Sequence, residues 1–158
     1  MKKRVGILTS GGDCPGLNAT IRGVAKALYA RFGENVEIVG ILNGYHGLIT
    51  GEYKEMCEDD FRGILTLGGT ILGSSRGHQD VERMVDTLAR PGISVPFCIG
   101  GDGTQRAALA INTEARRRGL ALSVIGSPRT IDNDNSVLRT TLGFETAVSE
   151  GRLATSAA

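Results

Sequence analysis

Short apolar runs alternate along the chain with stretches in which apolar residues recur every three or four positions. That alternation predicts repeated βα units around a mainly parallel sheet. The runs "RVGILT" (4–9), "VEIVGIL" (36–42), "VPFCIG" (95–100) and "ALSVIG" (121–126) read as buried strands, with a fifth around "GTILG" (69–73). Between them, Leu17, Ile21, Val24, Ala25 and Leu28 make one helical stripe and Val81, Met84, Val85 and Leu88 a second. A third helix turns Ala108, Ile111 and Ala115 inward and ends in "RRRG". Gly119 there suits a left-handed C-cap, and Arg116 to Arg118 complement the helix dipole, which explains the basic run without nucleic acid. The fold class predicted is α/β, a three-layer domain with a mostly parallel, Rossmann-like sheet.

In open parallel sheets, ligands bind beyond the C-terminal ends of the strands. The glycine and carboxylate motifs fall there: "TSGGDCPG" after the first strand, "GGDG" after the fourth and "SPRTIDND" after the fifth. Glycine is the compositional outlier, 23 of 158 residues, about twice the usual share of roughly 7%. These glycines gather at strand ends, as binding loops do, and no internal repeat, linker or second domain boundary is visible.

Charge and cysteine content narrow the partners. Lys plus Arg is 18 against Asp plus Glu 17, so nothing in the balance attracts nucleic acid or an anionic membrane. Cys14, Cys57 and Cys98 are odd in number and lack a CxxC spacing, which favours neither disulfides nor zinc and fits a reducing cytoplasm. "MKKRVGILTSGG" is broken by glycine too early for a secretory segment, and no apolar run reaches the roughly 20 residues that span a bilayer. A soluble, cytoplasmic protein is expected.

"GGDGTQRAA" (100–108) carries the first chemistry. A glycine-rich strand-to-helix turn lets backbone N–H groups approach an anion, and the helix N-terminus adds partial positive charge. Asp102 would repel a bare phosphate, so a divalent cation between them makes the arrangement favourable. "GGDCPGLN" (11–18) has glycines at P-loop spacing, but Leu17 and Asn18 stand where Lys and Ser or Thr are required, and a Walker-type site is rejected. What survives is a glycine turn presenting the Gly12 N–H to phosphate, or a plain tight turn. In "GSSRGH" (73–78), Arg76 can bridge phosphate oxygens or serve as an ordinary loop arginine. Tyr45 reads equally as an exposed loop aromatic or as local packing, and His46 and His78 lack metal-ligand spacing. In "SPRTIDND", Asp132 and Asp134, two apart on an extended loop, project to the same side and form an acidic pair able to divide base and orienting roles. An Asx turn is the competing explanation.

"GGDGT" alone also occurs in NAD kinases and diacylglycerol-type lipid kinases. The ordered set "LTSGGDCPGLNATIRG", "NGYHGL", "GGTILGSSR", "GGDGTQRAA" and "PRTIDND…TLGFETAV" resembles the phosphofructokinase family across residues 4 to 148. The resemblance implies transfer of the terminal phosphoryl group of ATP to the 1-hydroxyl of fructose 6-phosphate, with Mg2+. It makes Asp132 the proton acceptor and gives Thr130, Ile131, Asp132 and Asp134 to the sugar side. Asp102 becomes the magnesium-side aspartate. Gly12, Tyr45, Arg76, Gly77, Gly101, Asp102, Gly103, Thr104 and Gln105 become donor contacts, with Arg76 also bridging the moving phosphoryl group.

Donor choice turns on two positions. Gly103 matches ATP-using members, because pyrophosphate-using relatives carry aspartate there. Arg129 stands where bacterial ATP enzymes have glycine, and where pyrophosphate enzymes and one ATP-using subgroup have lysine. ATP is favoured, with pyrophosphate the alternative. Arg22 and Lys26 match effector-contacting positions of some bacterial relatives, or are simply a solvated helix face. The family's subunits are at least twice this length and commonly tetrameric, and the "MGR" motif is missing from these 158 residues. Residues 1–148 are therefore expected to form the nucleotide-binding part of a first domain, with 149–158 a divergent tail. The isolated chain is expected to be inactive, and a non-catalytic nucleotide-binding fragment or a different "GGDGT" kinase are the other readings.

Overall fold

A computed structural model describes residues 2–77, 80–133 and 139–156. The chain runs β1 (Lys3–Ser10), α1 (Leu17–Phe32), β2 (Val36–Ile41), α2 (Gly44–Thr50), β3 (Tyr53–Met56), α3 (Val81–Ala89), β4 (Val95–Gly100), α4 (Asp102–Arg117), β5 (Ile125–Thr130), β6 (Leu142–Gly143) and α5 (Phe144–Ser156). The six strands lie in the order β3-β2-β1-β4-β5-β6. All neighbours are parallel except β3, which returns antiparallel along β2.

Alternation along the strands sorts the core into two faces. Val5 and Ile7 of β1, Val36 and Ile38 of β2 and Ile99 of β4 pack under Leu17, Ile21 and Ala25 of α1. Leu8, Val39, Ile41 and Cys98 point the other way, against Tyr45, Leu48, Met84, Leu88, Ala108, Ile111 and Ala115 of α2, α3 and α4. The three predicted stripes are thus the inward faces of α1, α3 and α4. Gly119 adopts φ 67 just past α4, where Arg117 and Arg118 pair with Glu114 and Arg118 also reaches Asp86. Arg117 and Arg118 are absorbed by neighbouring carboxylates, and their hydrogen bonds hold the Glu114 pKa down to about 2.

Three expectations change. The stretch 69–73 is a turn, because Gly69 and Gly73 sit at φ 72 and 71, although Leu72 is buried. The strand expected at 121–126 begins at Ile125, paired with Phe97, so "SPRT" lies inside β5 and Thr130 is its last residue. Residues 131 and 132 form a bend and Asn133 takes φ 50, so the extended loop expected here is not found over residues 131–133. Asp134 and His78 lie outside the described residues.

Asn18, buried in the first turn of α1, organises the 67–71 turn. Its amide donates to the Leu67 and Gly68 carbonyls at 3.1 and 3.2 Å and its Oδ1 accepts from the Ile71 N–H at 2.8 Å. Asn18→Ala is expected to cost about 2–3 kcal/mol, since it leaves buried backbone groups without partners. Equilibrium urea unfolding checks this, and a cost below about 0.5 kcal/mol would contradict it.

Candidate functional site

β1 lies between β2 and β4, so successive connections leave it in opposite directions and the sheet has its switch point at the C-terminal ends of β1 and β4. The register sets Ser10 beside Gly100 and Gly100 beside Pro128, which brings the β1–α1 loop, the β4–α4 loop and the end of β5 to one edge. A cavity of about 510 Å3 opens there. A second of about 540 Å3 lies between α2 and α3, lined by Tyr53, Asp80, Arg83 and their neighbours, and contains none of the sequence motifs.

The two glycine turns are locked together from beneath. Thr104 Oγ1 donates to the Ser10 carbonyl at 2.9 Å, and Gln105 Nε2 to the Gly100 carbonyl at 2.9 Å. Gln105 also lies across β5 at Gly126, where a Cβ would meet its Oε1. Tyr45 is buried, and its hydroxyl donates to the Thr104 carbonyl at 2.8 Å. Burial pushes its phenol pKa up. Of the two readings of Tyr45, local packing holds: α2 turns the ring under α4, and neither Tyr45 nor Gln105, both donor contacts by resemblance, lines the cleft.

The "GSSR" segment is stitched to the first loop. Gly11 N–H and Ser10 Oγ both donate to the Ser75 carbonyl at 3.1 Å, and Ser74 Oγ donates to the Gly11 carbonyl at 2.7 Å. This sets the Arg76 guanidinium so close to Gly12 that a Cβ there would stand 2.5 Å from Nη2. Glycine at 12 is a requirement of that approach. Gly77 follows with φ 128 but does not line the cleft.

Gly12, Arg76, Gly101, Asp102, Gly103 and Thr104 share the cavity with Arg129, Thr130, Ile131 and Asp132. Asp102 opens α4 and pairs with Arg106 at 2.7 Å, half exposed to solvent. Asp132 donates its N–H to Thr130 Oγ1 at 3.1 Å, and its Oδ2 lies 3.4 Å from the same hydroxyl. Thr130 in turn accepts on its carbonyl from Thr141 Oγ1 at 2.9 Å. The carboxylate at 132 is thus held by a short turn at the end of a strand.

Arg129 is turned away from an open presentation. Only 6% exposed, it donates from Nη2 to the Pro15 carbonyl and reaches the Cys14 sulfur. Its Nε is buried with no partner among the described residues. Burial lowers its pKa, an effect the Cys14 contact partly offsets, while burial raises the Cys14 thiol against the pull of Arg129. Gly16, at φ 87, leaves room for this guanidinium. Sequence reasoning gave Arg129 its charge but not its direction. It missed Gly11, Asp13, Cys14 and Arg106, all of which line the cleft. Arg106 carried a readable signal, one helical turn beyond Asp102.

Arg22 and Lys26 line a separate cavity of about 230 Å3 with Tyr29, Glu58, Phe61 and Arg62, and Arg22 donates to the Phe61 carbonyl at 2.6 Å. Cys14 and Cys98 are buried and Cys57 is exposed, all three as free thiols. Among the described residues, no cluster of three or more His, Cys, Asp or Glu side chains is placed to hold a metal, and no helix is long and apolar enough to cross a membrane.

Fold and site together define an α/β protein with a glycine-lined cleft, carrying both carboxylates and guanidiniums, at a sheet switch point. The chain belongs to the phosphofructokinase family, whose model matches residues 4–156. It is 47% identical over 160 residues to an ATP-dependent 6-phosphofructokinase of Trypanoplasma borreli, covering 99% of this chain and 32% of that one. To the enzyme of that name from Trypanosoma brucei brucei it is 49% identical over 152 residues, 91% of this chain and 30% of the relative. The chain thus spans about a third of the length of these curated relatives. Among solved structures, Pichia pastoris phosphofructokinase in the T-state superposes with a TM-score of 0.81 at 31% identity, covering 90% of this chain and 17% of that one. A pyrophosphate-dependent phosphofructokinase from Marinobacter aquaeolei gives 0.80 at 26% identity, over 90% of this chain and 37% of that one.

Proposed function

We propose that these residues form the donor side of an ATP-dependent 6-phosphofructokinase, moving the terminal phosphoryl group of ATP to the 1-hydroxyl of fructose 6-phosphate. The observation that carries the reading is the sharing of one cavity by Asp102, Asp132 and Arg76 above two interlocked glycine turns. Phosphoryl transfer needs positioning and charge neutralisation more than covalent help, and this is a set of groups for both.

In this reading the backbone of Gly11, Gly12, Gly101 and Gly103 receives the donor phosphates, helped by the N-terminus of α4. Arg76, seated on Gly12, bridges donor and acceptor oxygens. Asp132 accepts the proton of the sugar hydroxyl as its oxygen attacks, while Thr130 orients that carboxylate and Ile131 and Asp134 belong to the sugar side. A half-exposed carboxylate at the helix start fits Mg2+, which commonly takes one or two protein carboxylates together with substrate phosphates, so Asp102 would hold it. The ion would supply charge neutralisation across the donor phosphate oxygens.

The donor assignment rests on Gly103 and Arg129. A Cβ at Gly103 would meet nothing within 4 Å, so the cleft is open where pyrophosphate users carry an aspartate. Arg129 is spent on the Pro15 carbonyl, which makes it a brace of the first loop. Tyr45, Thr104 and Gln105 act through the scaffold, and residues 1–148 form the nucleotide-binding part of a larger domain. The later sugar-phosphate contacts of the family are not among these residues, and orientation of that kind is worth roughly 7–11 kcal/mol.

Calorimetric titration of the 158-residue chain is expected to show ATP binding that needs magnesium and weakens at least tenfold in Asp102→Ala. Turnover of fructose 6-phosphate by the same sample is expected to lie far below that of a full-length relative. Absence of magnesium-dependent ATP binding, or phosphorylation of NAD or a lipid instead, would overturn the reading.

A further inference from the structure

We infer that Arg106 is a positioning residue whose guanidinium competes with a divalent cation for the Asp102 carboxylate, so that cation binding frees a positive charge for the donor phosphates. This rests on the phosphoryl-transfer reading above. Arg106 Nη2 stands 2.7 Å from Asp102 Oδ2, one turn along α4. Exposed pairs at this spacing are common on helices and weak. What distinguishes this one is its place, since both side chains line the cleft that also holds Arg76 and Asp132.

The charges facing that cleft make the exchange consequential. Three carboxylates, Asp13, Asp102 and Asp132, stand against three guanidiniums, Arg76, Arg106 and Arg129. Arg129 is committed to the Pro15 carbonyl and Arg106 to Asp102, which leaves Arg76, of the three in the cleft, without a partner among the described residues. A cation bound at the Asp102 oxygens repels the Arg106 guanidinium, whose only ion pair among the described residues is Nη2 on Oδ2 at 2.7 Å, and this weakens the pair enough to release it. The released guanidinium then lies over the helix N-terminus where the donor's phosphates are received. Metal affinity and nucleotide affinity become linked through one side chain, and the linkage is reciprocal. The pair also keeps the carboxylate from repelling an incoming polyanion before the metal arrives.

The experiment measures free Mn2+ by electron paramagnetic resonance on the chain without nucleotide, and Mg–ADP affinity by calorimetry, in wild type, Arg106→Gln, Arg106→Lys and Asp102→Asn. Arg106→Gln is expected to bind Mn2+ alone two- to fivefold more tightly yet Mg–ADP at least threefold more weakly, while Arg106→Lys stays near wild type on both. Opposite movement of the two affinities is something a purely structural helix pair would not produce. Affinities that move together, or do not move, overturn the inference while leaving the donor-site reading intact. Undiminished Mn2+ binding in Asp102→Asn overturns that reading as well, and the inference with it.

Discussion

Asp132→Asn is expected to lower kcat for fructose 6-phosphate phosphorylation by about 10² to 10⁴ while changing the KM for ATP by less than about twofold. The measurement is steady-state kinetics with residues 4–156, the span the family model matches, exchanged into a full-length relative that supplies the acceptor contacts. The amide keeps the size and the turn, since the bond that fixes the segment runs from the Asp132 N–H to Thr130 Oγ1. What it loses is the ability to take a proton from the sugar hydroxyl. In the proposed arrangement the donor sits over the glycine turns and Arg76, so its ground-state binding has no reason to change and the loss falls on kcat. A decrease below tenfold would show that Asp132 serves the site only as a charge or a spacer. Thr130→Val should reproduce a smaller part of the same loss, since it releases the carboxylate without removing it.

Much of this arrangement could be read before any coordinates, and the parts that could not share one physical cause. The runs of β1, β2 and β4 were legible because a strand buried on both faces must be continuously apolar. β3 was not, because an edge strand of four residues carrying Lys54 and Glu55 outward has no apolar run to show. The reverse error arose at 69–73, where Leu72 is buried without any strand pairing. At β5 the apolar signal came early: Leu122 and Val124 pack onto the α4 side before pairing starts at Ile125. Apolarity reports burial, while pairing is decided by what lies alongside. The site shows the same division. Glycine turns and carboxylates betrayed the cleft, since their residue types are set by the chemistry. Directions of long side chains were hidden: Tyr45, a donor contact by resemblance, lies under α4, and Arg129, though it lines the cleft, turns its Nη2 to the first loop.

Two glycines three apart separate what the fold needs from what the ligand needs. Gly100→Ala is expected to destabilise the chain by more than about 3 kcal/mol, measured by urea unfolding, and to abolish Mg–ADP binding. A methyl there would overlap the Ser10 carbonyl and stand 2.5 Å from Thr104 Oγ1, in the seam where β1 and β4 run side by side. Neither neighbour can retreat, because one is strand backbone and the other is held to it by the 2.9 Å bond from Thr104. Relief would require β4 to part from β1, which takes the whole donor loop with it. Gly103 faces open space, where a Cβ meets nothing within 4 Å, and it lies in the first turn of α4. Gly103→Ala is therefore expected to raise stability by about 0.5–1 kcal/mol through helix propensity, yet to weaken Mg–ADP binding about tenfold if phosphate rests against that backbone. Should Gly103→Ala leave nucleotide affinity unchanged, the phosphates lie elsewhere in the cleft and the role assigned to this turn is wrong.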